Sequence, residues 1–335
     1  MPKKVTAQVT AQVTAQEVAD AAGVSRAAVS RTLSNSGYVS AQARNKVLQA
    51  ASALGYRVNH LARGLNKLRS DLVGLVVADI DNPFRSQQLK DLSEALLENQ
   101  YRPLLIPTTQ GRDSSQVIDM LMRYSVSGVI ITSDTPPAEI YRNCIRHQVP
   151  VVLINKADQH PKVDRVLCDN AKGIALLADF FRQAQCRQVA VIATKEGSYS
   201  IQCRERLFVQ QMADLGIRTS VIRAPKHDYQ GGAMAALELL SMPSLPDGAF
   251  CTNDYLALGL IDQLKDKLSP SRFRKIRITG FDDIPQASWL NYQLTTIRQS
   301  TRDLAAAAVD LLKRRIDDPD LEGQTEIIDV QLVAR

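Results

Sequence analysis

The chain has 335 residues, 45% of them hydrophobic, enough for a large buried core spread over more than one domain. Its formal charge of +6 is unevenly held: residues 1–69 carry ten Lys or Arg against two acids, and the rest of the chain carries thirty-one against thirty-three. Five cysteines without a C-x-x-C spacing argue against a disulfide framework or a zinc site, and no apolar run is long enough to span a bilayer. A strongly basic head on a slightly acidic body points to a polyanionic partner for the head. The cysteine usage and the lack of a signal-peptide apolar region lead to the expectation of a cytoplasmic protein, with no membrane partner.

In chain order, residues 5–16 write "VTAQ" three times. Only the third copy is followed by a glutamate, so only Thr14 and Glu17 can form a capping box and start a helix. Residues 1–12 are therefore read as a disordered extension. A first helix then carries Val18, Ala19 and Ala22 inward and ends at Gly23. Ser25 caps a second helix, Arg26 to Leu33, with Val29 and Leu33 inward and Arg26, Ala27, Ser30 and Arg31 outward. A third helix begins at Ser40, with Val47, Leu48, Ala51 and Leu54 as its apolar stripe. Two short helices around a glycine turn, in so basic a region, suit the major groove, where an arginine can bond bidentately to guanine. The segment 59–70 allows one short helix capped by Asn59, too short to be stable alone.

From Leu72 onward, apolar strands alternate with amphipathic helices, the pattern of a parallel α/β fold. Ten strand candidates, from "LVGLVVAD" to "IIDVQLV", exceed one ordinary sheet, so two lobes are expected. Neither a dinucleotide G-x-G-x-x-G, nor a P-loop, nor a G-x-S-x-G elbow follows the strands, and no nucleophile–base spacing is recognisable, so no enzyme activity is expected. Polar residues recur at strand ends in "ADIDNPFR", "INKAD", "CDN", "TNDY" and "FDD", where ligands of parallel sheets bind.

The run "EVADAAGVSRAAVSRTLSNSGYVSAQARNKVLQAASALGYRVNHLARGL" resembles the head of LacI/GalR-family bacterial transcription regulators. The likeness continues through the body to "LTTIRQ", a segment that crosses between lobes in the family. It implies an all-α helix-turn-helix head and an α/β, two-lobed, periplasmic-binding-protein-like body with parallel sheets and helices on both faces. The implied domains are a helix-turn-helix at 13–58, a hinge at 59–70 and an effector-binding and dimerisation domain at 71–335. Lobe one is expected at about 71–168 plus 298–325, and lobe two at about 169–295 plus 326–335.

The resemblance also assigns roles. Arg26, Ala27 and Arg31 read bases, and Thr14, Ser25, Ser30, Asn35, Tyr38 and Arg44 contact phosphate or support that surface. Asn59, Ala62, Arg63 and Leu65 form the hinge, whose leucine wedges into the minor groove. In the body it implies effector contacts from Phe84, Arg204 and Asp254. The family's aromatic ahead of a helix glycine falls on His227, a departure from the pattern. Arg85, Lys156 and Asp282 join these from strand-end loops. So many cations suggest a sugar effector that is acidic or phosphorylated. The partners implied are a double-stranded palindromic operator, a small-molecule effector (sugar, sugar acid or sugar phosphate) and a second copy of the chain, with no cofactor or metal. The alternatives are a DNA-bending regulator without ligand and a carbohydrate-binding protein without a DNA role.

Overall fold

The computed structural model describes residues 13–34, 37–56, 70–108, 114–132, 138–194 and 198–335. The chain divides into two compact units, residues 1–68 and 69–335. The hinge residues Asn59, Ala62, Arg63 and Leu65, together with Asn35, lie outside the described residues.

In the first unit, α1 (Ala15–Ala22), α2 (Arg26–Ser34) and α3 (Ala41–Ala53) pack around Val18, Ala19, Ala22, Val29, Val47 and Ala51. The capping box forms where the sequence places it: Glu17 N donates to Thr14 Oγ1 at 3.3 Å, and Thr14 N donates to the Glu17 carboxylate at 2.6 Å. The Thr14 N–H, together with the Thr14 hydroxyl donating to the same carboxylate at 2.9 Å, holds the Glu17 carboxyl below the usual range. The third helix differs from expectation. Val47 and Ala51 are buried, but Leu48 and Leu54 are exposed, because the small seam takes only one side chain per turn.

The second unit holds two six-stranded sheets. The first contains β1 (Leu72–Val77), β2 (Arg102–Pro107), β3 (Gly128–Ile131), β4 (Val151–Ile154), β5 (Asp164–Cys168) and β11 (Thr325–Ile328), in the order β11-β5-β4-β3-β1-β2 and parallel throughout. The second contains β6 (Gln188–Thr194), β7 (Arg218–Ala224), β8 (Gly248–Cys251), β9 (Arg277–Asp282), β10 (Thr295–Gln299) and β12 (Val330–Val333), in the order β12-β10-β9-β8-β6-β7. Only β12 runs antiparallel to its neighbour, so the parallel character has one exception at an edge. Central strands such as β1 and β6 are apolar on both faces, as sheets covered by helices on both sides require.

The chain passes between lobes three times: at 168–170, at 299–301 and at 328–330. The helix Asn170–Gln183 packs on lobe two, and the helix Thr301–Asp317 returns to pack on lobe one. The last apolar run, "IIDVQLV", is therefore two strands in different sheets, split at Asp329, and residues 326–328 belong to lobe one rather than lobe two. A short segment with one continuous apolar pattern carries no mark of which sheet takes each half. Lobe one is further tied by a buried, bidentate ion pair, Arg315 with Asp164 at 2.6 and 2.9 Å. Arg315 also donates to the carbonyls of Leu321 and Glu322, fixing the turn that leads into β11. All five cysteines are free, and four are buried.

Candidate functional sites: a helix-turn-helix face and an interlobe cleft

On the head, Arg26, Ala27, Ser30 and Arg31 are all exposed, within an arc of about 140° on a helix turning about 100° per residue. Ser25 caps α2 by accepting from Ala28 N at 3.2 Å. Its side chain and the first turn of α2 thus share one end of the recognition helix, where backbone N–H groups favour phosphate. Gly37, at φ 72°, brings its backbone under Arg31: a Cβ there would stand 3.2 Å from Arg31 Cδ. The close approach steadies the stem of an otherwise exposed arginine. Tyr38 is 88% exposed, Thr14 is exposed and Arg44 is half-buried.

In the body, strand ends from both lobes enclose a cleft of about 410 Å³, counting its opening to solvent. Of the seven effector candidates, the structure brings five to it: Phe84, Arg85, Arg204, His227 and Asp282. Lobe one supplies the start of the helix Pro83–Glu98. Asn82 caps it by accepting from Phe84 N (3.0 Å) and Arg85 N (3.4 Å), so the cap presents the ring and the guanidinium together. Arg85 donates to the Thr132 carbonyl at 2.5 Å and forms no salt bridge with a described carboxylate.

Lobe two supplies a buried polar floor built around Arg204. Its Nε donates to Asn170 Oδ1 (2.9 Å), and its Nη1 donates to the Thr252 carbonyl (2.9 Å) and to Asp282 Oδ1 (3.2 Å). The guanidinium lies 3.6 Å over the Phe281 ring, a cation–π contact that holds its plane. Gln299 Nε2 donates to the same Asp282 oxygen at 2.6 Å. Burial pushes the Asp282 carboxyl up, and Arg204 pulls it back. Asp282 has φ 127°, a region that non-glycine residues occupy only under constraint. Asn170 and Gln299 stand at two of the three crossovers, so this floor is bonded directly to the segments that join the lobes.

Two candidates fall outside the cleft. Asp254 is fully buried behind it: Oδ1 accepts from Thr296 Oγ1 at 2.5 Å and Oδ2 from Ile284 N at 2.9 Å. A Cβ on Gly280 would stand 2.0 Å from Asp254 Oδ1, so that glycine makes room for the carboxylate. Burial, reinforced by the charge of Asp282, pushes the Asp254 carboxyl up to about 8. The cleft-facing residue of "TNDY" is Asn253, which caps the helix Asp254–Lys267 by accepting from Leu256 N (2.7 Å), while Asp254, one residue on, turns into the lobe. Lys156 is likewise buried and absent from the lining, whereas Asn155 before it lines the cleft and accepts from Cys168 N at 2.9 Å. Neighbouring side chains at a strand end point apart. The lining residues outside the candidate set are Asn82, Asn155, Ser198, Ser200, Ile201, Asn253 and Gln299. Their signal was the position of Asn155 and Asn253 one or two residues past an apolar strand.

Among the described residues no cluster of His, Cys, Asp and Glu could hold a metal ion, and no helix is long and apolar enough to cross a membrane. A three-helix head with an outward arginine face, joined in one chain to a two-lobed body with a polar cleft at its crossovers, defines a DNA-binding regulator with a ligand-binding body. Residues 14–59 match the family described as bacterial regulatory proteins, lacI family, and residues 178–335 match the periplasmic binding protein-like domain. Head and body together match the pattern of the LacI family of transcriptional regulators. It is 28% identical to the ribose operon repressor of Lactococcus lactis over 95% of this chain and 96% of that protein. It is 27% identical to the sucrose operon repressor of Streptococcus mutans over 91% and 93%. Among solved structures, the lac repressor dimer bound to operator and the anti-inducer ONPF superposes with a TM-score of 0.85 at 24% identity, covering 96% of this chain and 98% of that one. A LacI family regulator from Enterococcus faecium with bound ribose gives a TM-score of 0.71 at 24% identity, over 79% and 97%.

Proposed function

We propose that the chain is a cytoplasmic, DNA-bound repressor that grips a palindromic operator as a homodimer and takes a sugar or sugar derivative as effector in the interlobe cleft. One observation carries the ligand reading: Ser200 and Gln299 line the cleft, and Ser200 Oγ and Gln299 Oε1 are buried with no hydrogen-bond partner among the described residues. Leaving buried polar atoms unpaired costs about 1–3 kcal/mol each, and the hydroxyls of a sugar would satisfy both. Ribose and sucrose operon repressors among the relatives favour the same class of effector.

Arg26, Ala27 and Arg31 read base edges, with Thr14, Ser25, Ser30, Asn35, Tyr38 and Arg44 as phosphate or supporting contacts. Asn59, Ala62, Arg63 and Leu65 serve the hinge. Phe84 covers one face of the ligand, Arg85 and Arg204 donate, and Asp282 accepts hydroxyl protons. Arg204 is neutralised by Asp282, so the case for an acidic group on the ligand rests on Arg85. The effector acts by binding open and closed lobes differently, and the floor bonded to Asn170 and Gln299 carries that difference to the crossovers.

Dimerisation is supported by apolar side chains left exposed on each sheet's edge strand and the helices beside it. These are Leu105, Leu97 and Met120 around β2, and Val221, Met234 and Leu237 around β7. Exposed apolar edges of this kind call for a covering partner.

Two experiments test the reading. Selection of bound sequences from a random DNA pool should return a palindrome. Calorimetric titration with neutral pentoses and hexoses, then with their acids and phosphates, should find a ligand whose binding alters affinity for that palindrome. Binding of a neutral sugar alone would remove the acidic refinement, and no binding of any of them would remove the effector reading.

A further inference from the structure

At the mouth of the cleft a side chain of one lobe meets a side chain of the other. His227 Nε2, on the turn between β7 and the helix Tyr229–Leu240, lies 3.1 Å from Asp79 Oδ2, on the turn after β1. Both ends are rigidly mounted. The Asp79 carbonyl accepts from Asn82 N at 2.9 Å, in the same turn that caps the helix bearing Phe84 and Arg85. The His227 carbonyl accepts from Asn253 Nδ2 at 3.1 Å, and Asp228 beside it caps its own helix by accepting from Gly231 N at 2.7 Å. The pair can therefore form only when the lobes are at the separation seen here. A swing of either lobe by one or two ångströms would break it.

We infer that Asp79 and His227 form a latch across the mouth of the cleft that holds the two lobes closed. The inference deepens the effector reading above, because closure matters as a signal only if the cleft is the effector site. The charged groups around the pair are Arg85 from lobe one and, from lobe two, Arg204 and Asp282 on the floor, with Lys226 and Asp228 flanking His227 in sequence. The His227 bond, more than the nearby Arg85 charge, holds the Asp79 carboxyl below its usual range.

The direction of the pH dependence follows. A lowered carboxyl contributes stability to the closed form that is present above the unpaired carboxylate range and lost as pH falls through the lowered value. For a pair this exposed, breaking it is expected to change the closing equilibrium about two- to fivefold.

The test uses the full-length, ligand-free protein at one fixed pH. Amide exchange at Phe84 and Gly231, whose N–H groups are held by the caps on either side of the pair, should be about two- to fivefold faster in Asp79→Asn and in His227→Gln than in the natural protein. Unchanged exchange in both variants would overturn the inference. No ligand enters these measurements, so their failure is distinct from a failure of the sugar titrations, and a far-UV melt shows that both variants fold.

Discussion

Among the described residues each lobe buries one arginine–aspartate pair, and the two pairs are built differently. In lobe one Arg315 is bidentate to Asp164, two carbonyls take its remaining donors, and Gln324 N donates to the same carboxylate at 2.8 Å. In lobe two Arg204 reaches Asp282 by a single 3.2 Å bond, Asp282 carries an unfavourable backbone angle, and Gln299 beside it keeps one buried oxygen without a partner. The side chains are equally buried. A saturated pair is a staple. An under-saturated pair facing a cavity keeps hydrogen-bonding capacity that a ligand in the cleft would meet.

Mutations can break this contrast, and the largest effect should come from the staple. Arg315→Leu leaves Asp164 buried and unpaired and should destabilise the body by about 3–5 kcal/mol, read as a lower urea midpoint, with operator preference and ligand affinity of the folded fraction unchanged. Asp282→Asn keeps the shape of the cleft. It should cost little stability beyond about 1–3 kcal/mol, yet abolish measurable binding of the sugar that the titrations identify. Similar affinity in this variant would show that the floor is only structural.

Asp254→Asn separates the second buried carboxylate of lobe two from the first. Its carboxyl is raised, so its contribution to stability is present below the ordinary carboxylate range and is lost as pH rises toward about 8. The natural protein should lose stability between pH 5 and pH 8. The asparagine variant should begin close to the natural protein at pH 5, because the protonated carboxyl and the amide each offer a donor and an acceptor, and should show a flatter decline. A parallel decline in both proteins would assign the pH dependence to Asp282 instead.

On the head, Arg31→Ala should relax preference at one base pair per half-site, by about 1–3 kcal/mol if it reads that base; a uniform loss over all sequences would reassign it to phosphate. The smallest effect is at the cap. Thr14→Ala should lower the stability of the head by about 1 kcal/mol, seen in the melting of the helical signal, without changing the preferred operator.

Much of this was legible in the chain. Strand ends rich in polar residues announced a cleft, and the glutamate after the third "VTAQ" announced where the first helix starts, because both signals are local. The choice between Asp254 and Asn253 was not legible. Both follow the same strand, and what turns Asp254 inward is the space left by Gly280 and the hydroxyl of Thr296, which approach from other strands. Lys156 failed as a candidate for a related reason: its charge suggested a ligand contact, and only the folded strand end reveals that Asn155 faces the cleft instead.

By itself the sequence determined the kind of protein: a basic three-helix head whose spacing is set by caps and a glycine turn, and an alternating body that must form two lobes. Periodicity and capping act over a few residues, so a linear reading captures them. Only the tertiary structure decided which sheet takes each half of "IIDVQLV", which buried aspartate faces the cleft, and that Asp79 and His227, 148 positions apart, meet at its mouth. Those outcomes depend on side chains brought together from distant strands, where room, burial and unmet hydrogen-bonding capacity decide what a residue does.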